Sequence, residues 1–324
     1  MRPGTPTLAR TAAARAKAHA SAVHAAAART EPPLVQGLLI GIAVLSIALI
    51  LILPLVIVFH EALAKGWEGL RIAYSDPDTL HSIRLTLTVA SIAVPFNALF
   101  GLAAAWAITR FDFPGKRFIE ILIDLPIWIS PVVGGLVFLL LFGRQGVFGP
   151  WLIDRGFQIA FALPGLVLGT VFVTFPYIAR NLIPLMESLG RAEEEAALSL
   201  GARGWQIFFR ITIPKAKWAL LYGLVLCNAR AMGEFGAVTV LAGNVRGLTS
   251  TMPLQVENLY NDYHLASAFA LAAVLSLLGL VTLVLKTFIE WRTEHQLNAA
   301  TASTDTVAVD IAADLPHPSQ EPRP

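Results

Sequence analysis

Apolar residues gather into six long stretches with short polar segments between them. The first covers Leu38 to Phe59 and is broken only by Pro54; the second runs from Ile83 to Thr109 with Pro95 and Asn97 inside. The third, Ile119 to Phe142, carries Asp124 near its start and Pro126 and Pro131 within. The others span Phe157 to Ile178, Trp218 to Leu241 and Ala266 to Ile289. Crossing the hydrocarbon core of a bilayer takes about 20 predominantly apolar residues in a helix. The pattern therefore predicts an all-α, polytopic membrane protein with six transmembrane helices within residues 34–295. Pro and Gly inside such spans are ordinary in packed membrane bundles.

The flanks read differently. Residues 1–33 are rich in Ala and Arg and carry no acid before Glu31. This faintly suggests a transit peptide, but Ser is scarce, so a flexible or loosely helical cytoplasmic tail is the expectation. The first apolar run is too long and starts too late for a cleaved signal peptide. Residues 296–324 mix Ala, Thr, Asp and Pro with no hydrophobic period, which predicts disorder.

Composition agrees with the membrane reading: 56% of residues are hydrophobic and 14% charged, against about 25% charged in soluble domains. The net charge of +2 is too small to suggest nucleic acid. The placement of basic residues says more. Seventeen of 24, Arg110 and Arg180 among them, fall in or next to the two tails and the second and fourth loops, six fall in or next to the loops of the other side, and Arg230 lies deep inside a span. The positive-inside rule then puts both termini and the fourth loop in the cytoplasm.

Several chemistries are excluded. Cys227 is the only cysteine, so no intramolecular disulfide or thiolate metal cluster can form. The seven histidines sit in tails and loops without the spacing of a zinc helix, and no catalytic or metal site is expected. With none of them inside a span, an intramembrane hydrolase lacks its base. No glycine-rich phosphate loop occurs, so if ATP drives this protein another chain binds it, and this chain needs no cofactor.

Two polar features remain. The fourth loop, at about residues 187–214, reads Glu195-Ala196-Ala197, three residues, Gly201, nine residues, then Ile211-Thr212-Ile213-Pro214. Glu193, Glu194 and Glu195 suit the first turn of a helix, where acids complement its dipole. Ala196, Ala197, Leu198 and Leu200 favour helix, and Gly201 is a natural left-handed stop. Trp205, Phe208 and Phe209 supply apolar grip beside Arg203 and Arg210. By composition alone this could be an ordinary Ala-rich surface helix. The second feature is Arg230 with Glu234 one turn later in the fifth span, near Asn228. A charge there costs ~2.5 kcal/mol or more and must face a partner or a watery path. Two readings stay open: an ion pair that holds the bundle, or positive potential for a passing anion. Asn97, Asp124, Ser130 and Thr174 are further polar positions inside spans.

The loop spacing resembles the signature of bacterial ABC importer permeases of the type I, MetI-like fold, apart from Ile213 where the family has Leu. The run Asn228 to Ala237 resembles the fifth-span motif of sulfate and molybdate permeases. Asp124-Leu125-Pro126, Ser130-Pro131-Val132-Val133, Gly149-Pro150-Trp151-Leu152, Phe172-Val173-Thr174, Pro253 to Glu257 and Trp291-Arg292 are similar to sulfate/thiosulfate permeases of the W type. The resemblance covers roughly residues 35–295. It implies ATPase coupling through Glu195, Ala196, Ala197, Gly201, Ile211 and Pro214. It also implies two ABC ATPase subunits, a second homologous permease and a periplasmic sulfate-binding protein in an inner membrane. A molybdate or tungstate permease is the nearest alternative. An ion-coupled secondary transporter would show internal repeats and broken spans, and the sequence shows no repeat.

Overall fold

The computed structural model describes the backbone of residues 33–314 and the side chains of residues 34–289; the expectations for residues 1–32 and 315–324 lie outside it. Two units divide the chain, residues 1–57 and residues 58–324. Among the described residues every regular element is helical. Four helices, Leu34–Leu63, Pro77–Arg110, Leu163–Ser188 and Leu265–Ile289, are each long and apolar enough to cross a bilayer. Two bent pairs bring the number to six if each is one span.

The first span consists of α1 (Pro33–Ile47), a π-helical turn at Ala48–Ile52 and α2 (Leu53–Leu63). Proline lacks the N–H that would bond to the carbonyl four residues back. A π-turn just before Pro54 absorbs that lost bond and lets the helix continue. The same device recurs before Pro214, where α10 (Gly204–Ile207) passes through a π-turn at Phe208–Thr212 into α11 (Ile213–Met232). The intervening elements are α3 (Gly66–Ser75), α4 (Pro77–Arg110), α5 (Lys116–Trp128), α6 (Pro131–Phe142), α7 (Gly149–Ile153), α8 (Leu163–Ser188) and α9 (Ala192–Ser199). After α11 come α12 (Gly236–Ala242), α13 (Met252–Asn261) and α14 (Leu265–Asp314).

Three expectations change. The third span is no straight rod: Ile129 and Ser130 are extended, and α5 and α6 meet at 108°. Ser130 precedes Pro131, and a residue before proline is pushed out of the helical region. The fifth span starts earlier, at Gly204, and breaks between Met232 and Gly236 with a 53° bend. Arg180, one of the basic residues that follow the fourth apolar stretch, lies inside α8, 3.6 Å from Asp124 of α5. In addition, α14 continues through residues 297–314, where composition predicts disorder. That stretch is Ala- and Thr-rich and meets no Pro or Gly before Pro316.

The core of the second unit is α8 between α4 and α11. Ile178 is buried between two glycines: a Cβ added at Gly101 would lie 2.9 Å from Ile178 Cβ, and one at Gly223 would lie 3.2 Å from Ile178 Cα. Small residues let membrane helices approach closely, since apolar burial gives no advantage over lipid. One polar knot joins the same three helices. The Asn97 amide donates to Thr174 Oγ1 at 2.7 Å and to Cys227 Sγ at 3.7 Å. Cys227 is fully buried there, a small packing residue as its position predicts.

On the opposite side from the fourth loop, α13 is tied back when its first amide, Met252 N, donates to Thr86 Oγ1 of α4 at 2.8 Å. Arg246 pairs with Asp262 at 2.6 Å, and its hydrogen bond holds the Asp262 carboxyl below the usual carboxylate range. With the folded-state value depressed, this contact stabilises above the ordinary carboxylate pKa and is lost as the pH falls through the lowered one.

Candidate functional site

The fourth loop folds as its composition predicts. Helix α9 carries Glu193, Glu194 and Glu195 in its first turn. Its end is a Schellman motif: Gly201 N–H donates to Leu198 O, and Ala202 N–H donates to Ala197 O, both at 3.0 Å. Gly201 holds φ +85°, and an added Cβ there would meet no atom within 4 Å. Backbone strain alone then selects glycine. Gly201→Val is expected to strain the turn by about 1–2 kcal/mol without a steric clash. Helix α9 should then be less ordered while membrane insertion is unchanged, measured by amide hydrogen exchange of residues 192–202; unaltered exchange would refute it.

The three acids divide their work. Glu194 Oε2 lies 2.6 Å from Arg110 Nε at the end of α4, and Glu194 Oε1 accepts from the Thr212 hydroxyl at 2.8 Å. Arg110 also donates to Met186 O of α8 at 3.1 Å, and Arg191 donates to Thr109 O at 2.7 Å. Glu193 pairs with Lys215. Glu195 is exposed and its carboxylate has no ion-pair partner among the described residues. Ala196 is exposed beside it and Ala197 is half-buried. Leu198 (62% exposed), Leu200 (88%), Trp205 (60%) and Phe209 (62%) face outward. Phe208 does not join them: its ring packs on Trp106, with centroids 4.9 Å apart.

Ile211 and Pro214 prove to be helical. Ile211 lies in the π-turn, and Pro214 is in the first turn of α11, so the end of the signature is the foot of a span. Sequence reasoning missed Arg110, which entered only as a charge marking orientation. Its signal was its position, the last residue of a helix, where a cation meets the negative end of the dipole.

Within the fifth span, Arg230 and Glu234 do meet, at 2.5 Å. They do not share one helix, however: Glu234 lies in the break, and its Oε1 accepts from Ala237 N–H in the first turn of α12 at 2.9 Å. Its side chain is 1% exposed, that of Arg230 31%. Asn228 is half-buried and makes no side-chain hydrogen bond among the described residues. The breaks in the third and fifth spans touch. A Cβ on Gly236 would lie 3.1 Å from Pro131 Cβ, and one on Gly135 would lie 2.6 Å from the Ala237 carbonyl oxygen.

Against known families, a model of the inner membrane component of binding-protein-dependent transport systems matches residues 97–295. The chain belongs to this family. It is 50% identical over 258 residues to the sulfate transport system permease protein CysW of Escherichia coli (strain K12), covering 80% of this chain and 89% of that protein. To the sulfate transport system permease protein CysT of the same organism it is 33% identical over 244 residues, 75% of this chain and 88% of the relative. The chloroplastic sulfate permease 2 of Chlamydomonas reinhardtii is 47% identical over 256 residues, 79% of this chain and 69% of that one. A crystal structure of a bacterial alginate ABC transporter, in complex with an alginate pentasaccharide-bound periplasmic protein, aligns with a TM-score of 0.64 at 18% identity, covering 79% of this chain and 92% of that one. The fold is therefore the all-α, MetI-like fold of type I ABC importer permeases, and the chain is a multi-pass membrane component.

Proposed function

We propose that this chain is a permease subunit of an ATP-driven importer for sulfate and thiosulfate, with both termini and α9 on the cytoplasmic side. The observation that carries the substrate is the 50% identity to a sulfate transport permease along most of both chains. The geometry supports the coupling role. Helix α9 presents an unpaired carboxylate, Glu195, beside exposed Leu198 and Leu200, a surface suited to an apolar, cation-lined cleft on another protein. That protein is an ABC ATPase, present in two copies, which binds the ATP; this chain does no bond chemistry and needs no cofactor of its own. A second, homologous permease completes the path, and a periplasmic sulfate-binding protein delivers the anion. ATP binding closes the ATPases and draws the α9 helices together, opening the path outward; hydrolysis returns it inward.

The test is uptake of radiolabelled sulfate by cells that depend on this chain, with reporters fused after Arg117 and near Gly149 to read topology. ATP-dependent uptake that resists an equal concentration of molybdate is expected, with cytoplasmic signal after Arg117 and periplasmic near Gly149. Block by molybdate would move the assignment to the molybdate class, and inverted reporter signals would overturn the orientation.

A further inference from the structure

We infer that Arg110 and Glu194 form the joint through which motion of α9 reaches the membrane spans, which makes them positioning residues of the transport cycle. The inference rests on the importer reading and adds to it the parts that transmit force.

A helix that merely docks on an ATPase does not move a path; it must be fixed to the spans. Here one carboxylate reaches two spans at once, beside the separate contacts of Arg191 with α4 and of Glu193 with α11. Glu194 holds Arg110 at the end of α4 through one oxygen and Thr212, at the foot of α11, through the other. Arg110 carries the linkage on to α8 through Met186 O. Three spans thus converge on a single guanidinium–carboxylate pair. The pair is well shielded, with the two side chains 10% and 16% exposed. Shielding from water makes such a contact stiffer than a surface pair, whose value is eroded by screening. Both charges also sit at favourable helix ends, Arg110 at the C-terminus of α4 and Glu194 in the first turn of α9.

The faces of α9 separate accordingly. Arg191, Glu194 and Ala197, three residues apart, are half-buried, and the first two bond to the spans, whereas Glu195, Leu198 and Leu200 are exposed. Adjacent acids therefore have opposite duties, Glu194 gripping the permease and Glu195 left for the partner. Cutting the inner grip leaves the outer surface intact, so α9 should still dock while its displacement is no longer passed on.

The experiment uses the assembled complex, purified through this chain and reconstituted in proteoliposomes, with ATP hydrolysis and sulfate uptake measured together. Glu194→Gln is expected to keep hydrolysis near wild type while uptake per ATP falls about tenfold or more, the worth of the charge that assists the Thr212–Glu194 bond and attracts Arg110. Arg110→Lys should give an intermediate ratio, since the charge stays but the fork that reaches Met186 is lost. Hydrolysis and uptake falling together in proportion to assembled complex would overturn the joint, as would an unchanged ratio.

A second readout does not depend on the anion. Cys227 is the only cysteine, so on a Cys227→Ala background spin labels can be placed by Asp112→Cys and Ser199→Cys. The distance distribution between them should broaden when Glu194→Gln is added, and an unchanged distribution would sink the proposal. A wild-type complex without ATP-driven sulfate uptake would instead sink the importer reading, with the spin-label result still deciding the joint.

Discussion

Arg230→Gln is expected to remove most of the assembled protein from the membrane. The substitution leaves Glu234, 1% exposed, without its cation. Breaking a buried pair by removing one partner costs about 3–5 kcal/mol, a large fraction of the ~5–15 kcal/mol that holds a typical fold. The damage falls where the fifth span breaks, because the same carboxylate caps α12 through Ala237 N–H. In Arg230→Gln/Glu234→Gln no charge is stranded, and the new amide oxygen can still accept from Ala237. Abundance should recover in the double mutant. Transport measured in the same membranes then assigns the role. If the pair chiefly latches the break, as the 2.5 Å contact supports, transport recovers along with abundance. Recovery of abundance without transport would give Arg230 to the anion instead, and Arg230→Lys should then keep part of the activity, because a point charge still attracts a dianion.

Much of this molecule could be read from the chain because a bilayer leaves few options: backbone polar groups must bond within the span, so long apolar runs become helices. Helix α9 was legible for a similar reason. Three acids, an Ala-rich turn and Gly201 all favour the same local structure, and neither its start nor its stop depends on distant contacts. Helix breaks were harder. Pro126 and Pro131 mark the third span, yet Pro95, Pro176 and Pro184 lie inside helices that continue. Only the extended backbone at Ile129 and Ser130 separates a break from a tolerated kink. At the fifth span the i, i+4 spacing of Arg230 and Glu234 suggested one continuous helix face, and the pair forms even though the helix ends between them. The Arg110–Glu194 contact was out of reach for another reason. It joins residues 84 positions apart, and no local propensity encodes which acid of three turns inward.

The meeting of the two breaks yields an expectation that separates neighbouring glycines. Gly135→Ala should destabilise the subunit clearly more than Gly134→Ala, although both lie in the first turns of α6 and both are buried. At Gly135 the added Cβ would come within 2.6 Å of the Ala237 carbonyl oxygen and 3.0 Å of its Cα. Those are backbone atoms of α12, so relief requires the two half-helices to move apart. At Gly134 the nearest atom is Cε1 of the Phe172 ring, also 2.6 Å away, but a side chain can rotate where a backbone cannot. Overpacking a close helix contact costs about 1–3 kcal/mol, and Gly135→Ala should lie toward the upper end of that range. Thermal unfolding of the purified complex is the measurement, with Gly135→Ala lowering Tm by several degrees more than Gly134→Ala. Adding Phe172→Leu should restore the Gly134 variant and leave the Gly135 variant unchanged. Equal Tm values for the two glycine variants would mean that α6 and α12 are not held against each other at the breaks, and that the bend of the fifth span is set by Glu234 alone.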